Sequence, residues 1–249
     1  MFEDYVPKKK IGYLSPLAVI DSGPFEFYRA APKGVMLVMI PVGVQEFSAE
    51  DVQRAFSTID RDLDLLMERG IDIYLQSGVP LPLLVGPEYI DKLLQHIRDR
   101  TKTRATSTVY SVVAAAKHLG LKKIVAANKW NPKMNETLKQ FFAQGGVSMI
   151  GTHSRSMVPS EFVKMSDQAS IDLAYDLGRG TLENFPAADA IYIGGGSWLT
   201  LPVICRLEEE FGKPVITNQT AVIWDLCQQL DCWSPRQGFG RLLASDSKG

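Results

Sequence analysis

Four short turns, each standing where an apolar run ends, carry most of the residue types with which this chain can do chemistry. Gly194-Gly195-Gly196-Ser197 leads from one such run towards a helix. Glycines let backbone N–H groups approach an anion, and a helix start adds partial positive charge, so a carboxylate or oxyanion suits this turn. It is neither a dinucleotide fingerprint nor a P-loop, and a tight strand-to-helix connection would use the same glycines. Ser77-Gly78-Val79-Pro80 is its counterpart, where Ser77 is a nucleophile, a hydrogen-bond donor or a turn former. Asn128-Lys129-Trp130-Asn131 is chemically the most varied. Lys129 there acts as a base after desolvation, attracts an anion, or is a solvated loop lysine. Trp130 walls an apolar pocket or fills an interface. Thr217-Asn218-Gln219-Thr220 supplies polar groups that would equally cap the next helix. Tyr110, near the start of a helix, can aim its hydroxyl at an anion or pack with it satisfied.

These turns must be positioned by strands and helices, and the hydrophobic pattern names them. Short apolar runs alternate with amphipathic stretches, as in a parallel α/β sheet. Strands are expected at 10–14, 35–41, 71–76, 123–128, 147–152, 190–193 and 214–217. Helices are expected at 48–69, 87–100, 107–119, 132–144, 168–179, 201–211 and 221–230, the first capped by Ser48 and stopped by Gly70. Ligands of open parallel sheets bind at the carboxyl ends of strands. That places 76–80, 128–131, 194–197 and 217–220 at a common site.

The chain also echoes itself. Residues 73–83 (IYLQSGVPLPL) align without gaps on residues 191–201 (IYIGGGSWLTL), each a run ending in a small-residue turn. The match is coincidence or the trace of two related α/β halves. The second reading gives a first half of 1–106, completed by 221–249, and a second half of 107–220, with the site in the cleft between two short parallel sheets flanked by helices.

With 27 basic and 28 acidic residues in 249, the net charge of −1 gives no footprint for nucleic acid or an anionic membrane. A small-molecule partner is expected. No apolar run reaches the roughly 20 residues that span a bilayer, and the N-terminus has no signal-peptide core. The three cysteines, Cys205, Cys227 and Cys232, and the three histidines, His96, His118 and His153, have no ligand or disulfide spacing. A reducing cytoplasm and a metal-free site are expected. Cys205 and Cys227 fall within helices and read as small buried apolar residues.

Taken in order, the Gly78 turn with Gly86, Gly120-Leu121-Lys122-Lys123-Ile124, Asn135-Glu136-Thr137-Leu138, Gly196-Ser197-Trp198-Leu199-Thr200-Leu201, Phe211-Gly212-Lys213-Pro214-Val215 and Gly238-Phe239-Gly240-Arg241-Leu242 resemble one family. It is the arylmalonate decarboxylase/maleate cis-trans isomerase branch of the aspartate/glutamate racemase superfamily, and the likeness runs from Ile11 to Leu243. The resemblance implies two pseudo-symmetric halves around a cofactor-independent site. It also implies, for the racemases and isomerases, a catalytic cysteine on each echoing turn, at positions matching Gly78 (or Ser77) and Gly195, of which the decarboxylases keep the second as proton donor; this chain has no thiol at either position. The family's hydroxyl residues after the first turn match Val79 and Pro80, and its loop tyrosine matches Trp130.

Cysteine-based two-base racemisation is therefore excluded. Three possibilities remain: a lyase or isomerase of a small carboxylate or carbonyl compound, a hydrolase or hydratase on the same scaffold, or a non-catalytic binding protein. In the first, Lys129, Tyr110 and Ser77 are the candidate acid/base groups. Gly78, Val79, Pro80, Asn128, Trp130, Gly195, Gly196 and Ser197 are the candidate substrate contacts. A homo-oligomer is compatible with this sequence.

Overall fold

Strands covered by helices on both faces need apolar side chains pointing both ways, and the near-continuous Val/Ile/Leu runs meet that need. The computed structural model describes residues 6–17, 19, 22–45, 48–162, 164–196 and 198–246. Among these residues eight strands form two four-stranded sheets. The first contains β1 (Lys9–Leu17), β2 (Val35–Val44), β3 (Ile73–Gln76) and β4 (Arg104–Ser107), ordered β2-β1-β3-β4. The second contains β5 (Lys123–Asn128), β6 (Ser148–Ser154), β7 (Ala190–Gly194) and β8 (Val215–Thr217), ordered β6-β5-β7-β8. Every pairing is parallel. Counted from its own first strand, each sheet has the order 2-1-3-4, and the echoing segments are β3 and β7, third strand of each.

The first sheet is accompanied by α1 (Ser22–Ala30), α2 (Ala49–Ala55), α3 (Ile59–Met67), α4 (Pro80–Val85) and α5 (Pro87–Thr101). Then come α6 (Thr108–His118), α7 (Pro132–Gln144), α8 (Pro159–Phe162), α9 (Asp167–Asn184), α10 (Leu201–Phe211), α11 (Asn218–Gln229) and α12 (Gly240–Ala244). One buried cluster joins the sheets: Ile11 and Ile73 of the first, Ile124 and Tyr192 of the second, with Val112 of α6 and Trp224 of α11 between them. α11 packs on α6 and on α1, and ten consecutive residues of it, from Asn218 to Cys227, are buried.

Besides the short helices α4, α8 and α12, which lie outside the expected helix ranges, three features depart from expectation. The single helix at 48–69 is two helices, α2 and α3, joined by a 3-10 turn at Phe56–Thr58 whose Phe56 is buried. β4 was not expected because Arg-Ala-Thr-Ser has no apolar run; it pairs on one side only, with β3. α1 was not expected either, since Ser-Gly-Pro opens it without a periodic pattern. No described helix is long and apolar enough to cross a membrane.

Candidate active site

Parallel strands deliver all their carboxyl ends to one edge, and both sheets do so towards a shared cavity of about 70 Å³. Its wall takes Tyr13 from β1, Ser77 and Gly78 after β3, Lys129 and Trp130 after β5, Gly195 and Gly196 after β7, and Asn218 and Gln219 after β8. A wider space of about 520 Å³, bordered by Gln45, Ser48, Asn131, Ser156 and Met157, adjoins it. Lys129 and Trp130 border both spaces.

Lys129 is 3 % exposed. Its ammonium lies between two aromatic rings, 4.5 Å from the Phe162 centroid and 4.5 Å from the Trp198 centroid. Ring faces carry negative quadrupole density, so this stack stabilises positive charge at Nζ in a setting with little water. The backbone beneath is held firmly. Asn128 Oδ1 accepts from Trp130 N–H at 2.9 Å, Asn128 Nδ2 donates to Asn135 at 2.7 Å, and Lys129 C=O accepts from Met157 N–H at 3.0 Å.

A hydroxyl cluster lines the same cavity. Ser77 hydrogen-bonds Tyr13, and burial raises the Tyr13 phenol above its usual value while that bond works against the rise. Tyr13 therefore stays protonated through the neutral range, as a donor. Gly78 N–H is already taken by Thr108 Oγ1 at 3.1 Å, so it is not free for a ligand. The Gln76 side chain fixes this turn, donating to the carbonyls of Ser77 and Gly78 and accepting from Ser107 at 2.6 Å.

The glycines have steric reasons. Gly195 has φ +143°, and a Cβ on it would lie 2.5 Å from Trp198 Nε1. Gly78 has φ +85°, with Pro16 2.8 Å from its would-be Cβ. Both turns are thus shaped for residues without side chains. Trp198 Nε1 is buried and has no hydrogen-bond partner among the described residues.

One helix ties the halves together beside the cavity. Glu26 of α1 accepts from the N–H groups of Thr200 and Leu201, both at 2.6 Å, and from Thr200 Oγ1 at 3.1 Å, at the start of α10. Burial pushes its carboxyl up to about 7, against the pull of those three hydrogen bonds. Ser22 Oγ donates to Gly196 C=O at 2.9 Å.

Of the residues singled out in sequence, Lys129, Ser77, Gly78, Pro80, Trp130, Gly195 and Gly196 border the cavity. Ser197 lies outside the described residues. Tyr110 does not belong to the wall: its hydroxyl donates to Asp91 Oδ1 at 2.5 Å, and its ring packs on Phe141 at 5.6 Å. Burial and Asp91 raise its phenol. Asn128 and Val79 are not on the cavity wall: the Asn128 side chain is used within its own loop, and the Val79 side chain belongs to the core. Tyr13, Thr108 and the start of α1 at Gly23 and Pro24 were missed. Tyr13 lies in the middle of β1, where the strand-end rule does not reach. Thr217 and Thr220 form a capping box, while Asn218 and Gln219 between them face the cavity, so both uses of that turn coexist. Cys227 is buried, Cys205 and Cys232 are half-buried, and none borders the cavity.

Comparison with known proteins agrees with this geometry. The family profile described as "Arylmalonate decarboxylase" matches residues 26–243. Arylmalonate decarboxylase of Bordetella bronchiseptica is 26% identical over 179 residues, 72% of this chain and 73% of that protein. A doubly substituted arylmalonate decarboxylase, solved in its liganded form, superposes with a TM-score of 0.83 at 20% identity, covering 94% of this chain and 98% of the other. A maleate cis-trans isomerase of Nocardia farcinica, solved with a covalently bound succinylcysteine intermediate, superposes with a TM-score of 0.82 at 15% identity, covering 96% and 99%.

Proposed function

The chain belongs to the arylmalonate decarboxylase family, and from that premise we propose that it is a lyase that removes CO2 from a small activated carboxylate, without a cysteine acid/base and without a cofactor. The observation carrying this reading is the buried Lys129 ammonium on the cavity wall, with the Ser77–Tyr13 hydroxyl pair on the same wall. Loss of CO2 leaves an electron pair on carbon that spreads onto a neighbouring carbonyl or carboxyl oxygen. A fixed positive charge in a water-poor pocket stabilises that oxyanion more than the starting acid. The carbon then needs one proton, and a buried neutral hydroxyl within the cavity supplies it, with replacement from solvent.

Decarboxylation is favoured over isomerisation because it needs charge stabilisation and one proton rather than a covalent adduct on a thiol. The Nocardia isomerase carries its intermediate on a cysteine, whereas this cavity has no thiol. A thiol-free pocket suits a reaction that needs charge stabilisation and one proton.

The test is a panel of 2-substituted malonates, maleate, hydantoins and lactones, with CO2 release and product formation followed together. CO2 release from a malonate, lowered about 10²-fold or more in Lys129→Met, is the expected result. Turnover of hydantoin or lactone alone would replace the lyase with a hydrolase. Binding without turnover of any of them would leave a small-molecule binding protein.

A further inference from the structure

Resting on the lyase reading, we propose that Lys129 acts as a nucleophile as well as a charge, forming an iminium with the ketone of a β-keto acid, and that β-keto acids are the substrate class. Among the described residues Lys129 is the one lysine on the walls of the two adjoining spaces, and it borders both. A carbonyl carbon joined to its nitrogen has two further arms to place. The carboxymethyl arm of a β-keto acid is short and fits the narrower space of about 70 Å³, facing Ser77 and Gly195. The other arm is variable and fits the wider space of about 520 Å³ beyond Trp130. A malonate has no such pair of arms on a ketone carbon. The aromatic stack suits this role, because an iminium keeps the positive charge on the same nitrogen that Phe162 and Trp198 flank at 4.5 Å.

The chemistry balances without any further reagent. The ammonium first passes one proton to the substrate carboxylate, the free amine then adds to the ketone carbon to form a C–N bond, and the carbinolamine takes that proton back as its oxygen leaves as water, giving the iminium. The bond between the α-carbon and the carboxylate then breaks, its electron pair moves to the iminium nitrogen, and CO2 leaves a neutral enamine. The enamine carbon takes a proton from the Ser77–Tyr13 pair, giving the iminium of the shortened ketone. Water hydrolyses it and restores the ammonium. The net change is one β-keto carboxylate anion and one proton to one ketone and CO2.

The experiment uses the full chain with acetoacetate and with benzoylacetate. Each is incubated in 18O-labelled water and, separately, in the presence of sodium borohydride. Expected are catalysed CO2 release, ketone product carrying solvent oxygen from its first turnover, and a reduced adduct that peptide mapping places on Lys129. Lys129→Arg, checked for folding by circular dichroism, is expected to lose the adduct and to fall to the uncatalysed rate. Product that keeps the substrate's oxygen, or turnover without an adduct on Lys129, overturns the iminium. An adduct without catalysed CO2 release also overturns it, since the amine is then merely reactive. Wild-type turnover of a 2-substituted malonate, run in parallel, separates the two ideas. If malonate is decarboxylated and no iminium forms, the lyase reading stands and this one falls; if neither acid is decarboxylated, both fall.

Discussion

At Gly195 a residue's absence of side chain has energetic consequences. The backbone there has φ +143°, and a Cβ would sit 2.5 Å from the Trp198 indole nitrogen. Gly195→Cys should therefore cost about 1–3 kcal/mol, by overpacking and by a backbone conformation that L side chains rarely adopt. Urea melts check the loss. Adding Trp198→Phe, which shortens the clashing ring, should recover part of it, and simple additivity of the two changes would show that the clash is not the cause. Tyr110 gives the opposite kind of test. Tyr110→Phe should cost about 1 kcal/mol through the lost Asp91 bond and leave turnover unchanged; a fall in kcat would return Tyr110 to the site. The sequence made Lys129 and Ser77 visible because they stand just past strand ends. It hid Tyr13, which lies within β1, and it could not separate Asn128 from its neighbours. Asn128 stands at the same strand end as Lys129, but its hydrogen bonds to Trp130 and Asn135 turn it inward, and partners seven residues away are set by loop closure rather than by local pattern.

Among the elements, α1 is the least legible and the most consequential for the cleft. A nine-residue helix beginning Ser-Gly-Pro has no period to read, and its place is fixed by tertiary contacts: Ser22 to Gly196, and Glu26 to the start of α10. β4 was hidden for a related reason, since an edge strand of four residues needs only one good partner. The longer apolar strands were readable because burial on both faces leaves few alternatives. Glu26 makes the α1 contact depend on pH. Its carboxyl is held at about 7 in the folded chain against an ordinary value of 4.5. Below 4.5 both folded and unfolded chains carry the proton, and this contribution is fully present. As pH rises towards 7 the unfolded chain ionises first, so stability falls through that window, by on the order of 3 kcal/mol in all. Glu26→Gln should flatten the slope, because an amide oxygen accepts the Thr200 and Leu201 N–H groups and its NH2 donates to Thr200 Oγ1. Urea melts between pH 4.5 and 8 measure this, and an unchanged slope in the variant would assign it to another group.

Across the whole molecule, two sheets of identical order bring two equivalent turns to one cavity, but the turns do not carry equivalent groups. The strand-end rule and the repeated segment made this arrangement readable in outline. What the outline did not contain was the difference between the two walls, which depends on how β1 and α1 approach from the side. Of the described residues on the two turns, Ser77 alone presents a hydroxyl, while the other turn offers Gly195 and Gly196. A flat carbanion-like species lying between them therefore has one face towards a proton source and one towards bare backbone. Handedness should follow from that inequality. Turnover in deuterium oxide of a substrate whose product carbon bears three different groups besides the new deuterium should give one enantiomer, read by chiral chromatography. A racemic product would mean that the proton arrives from both faces or from free solvent. A fold that is nearly symmetric in its backbone would thus make a product that is not symmetric at all.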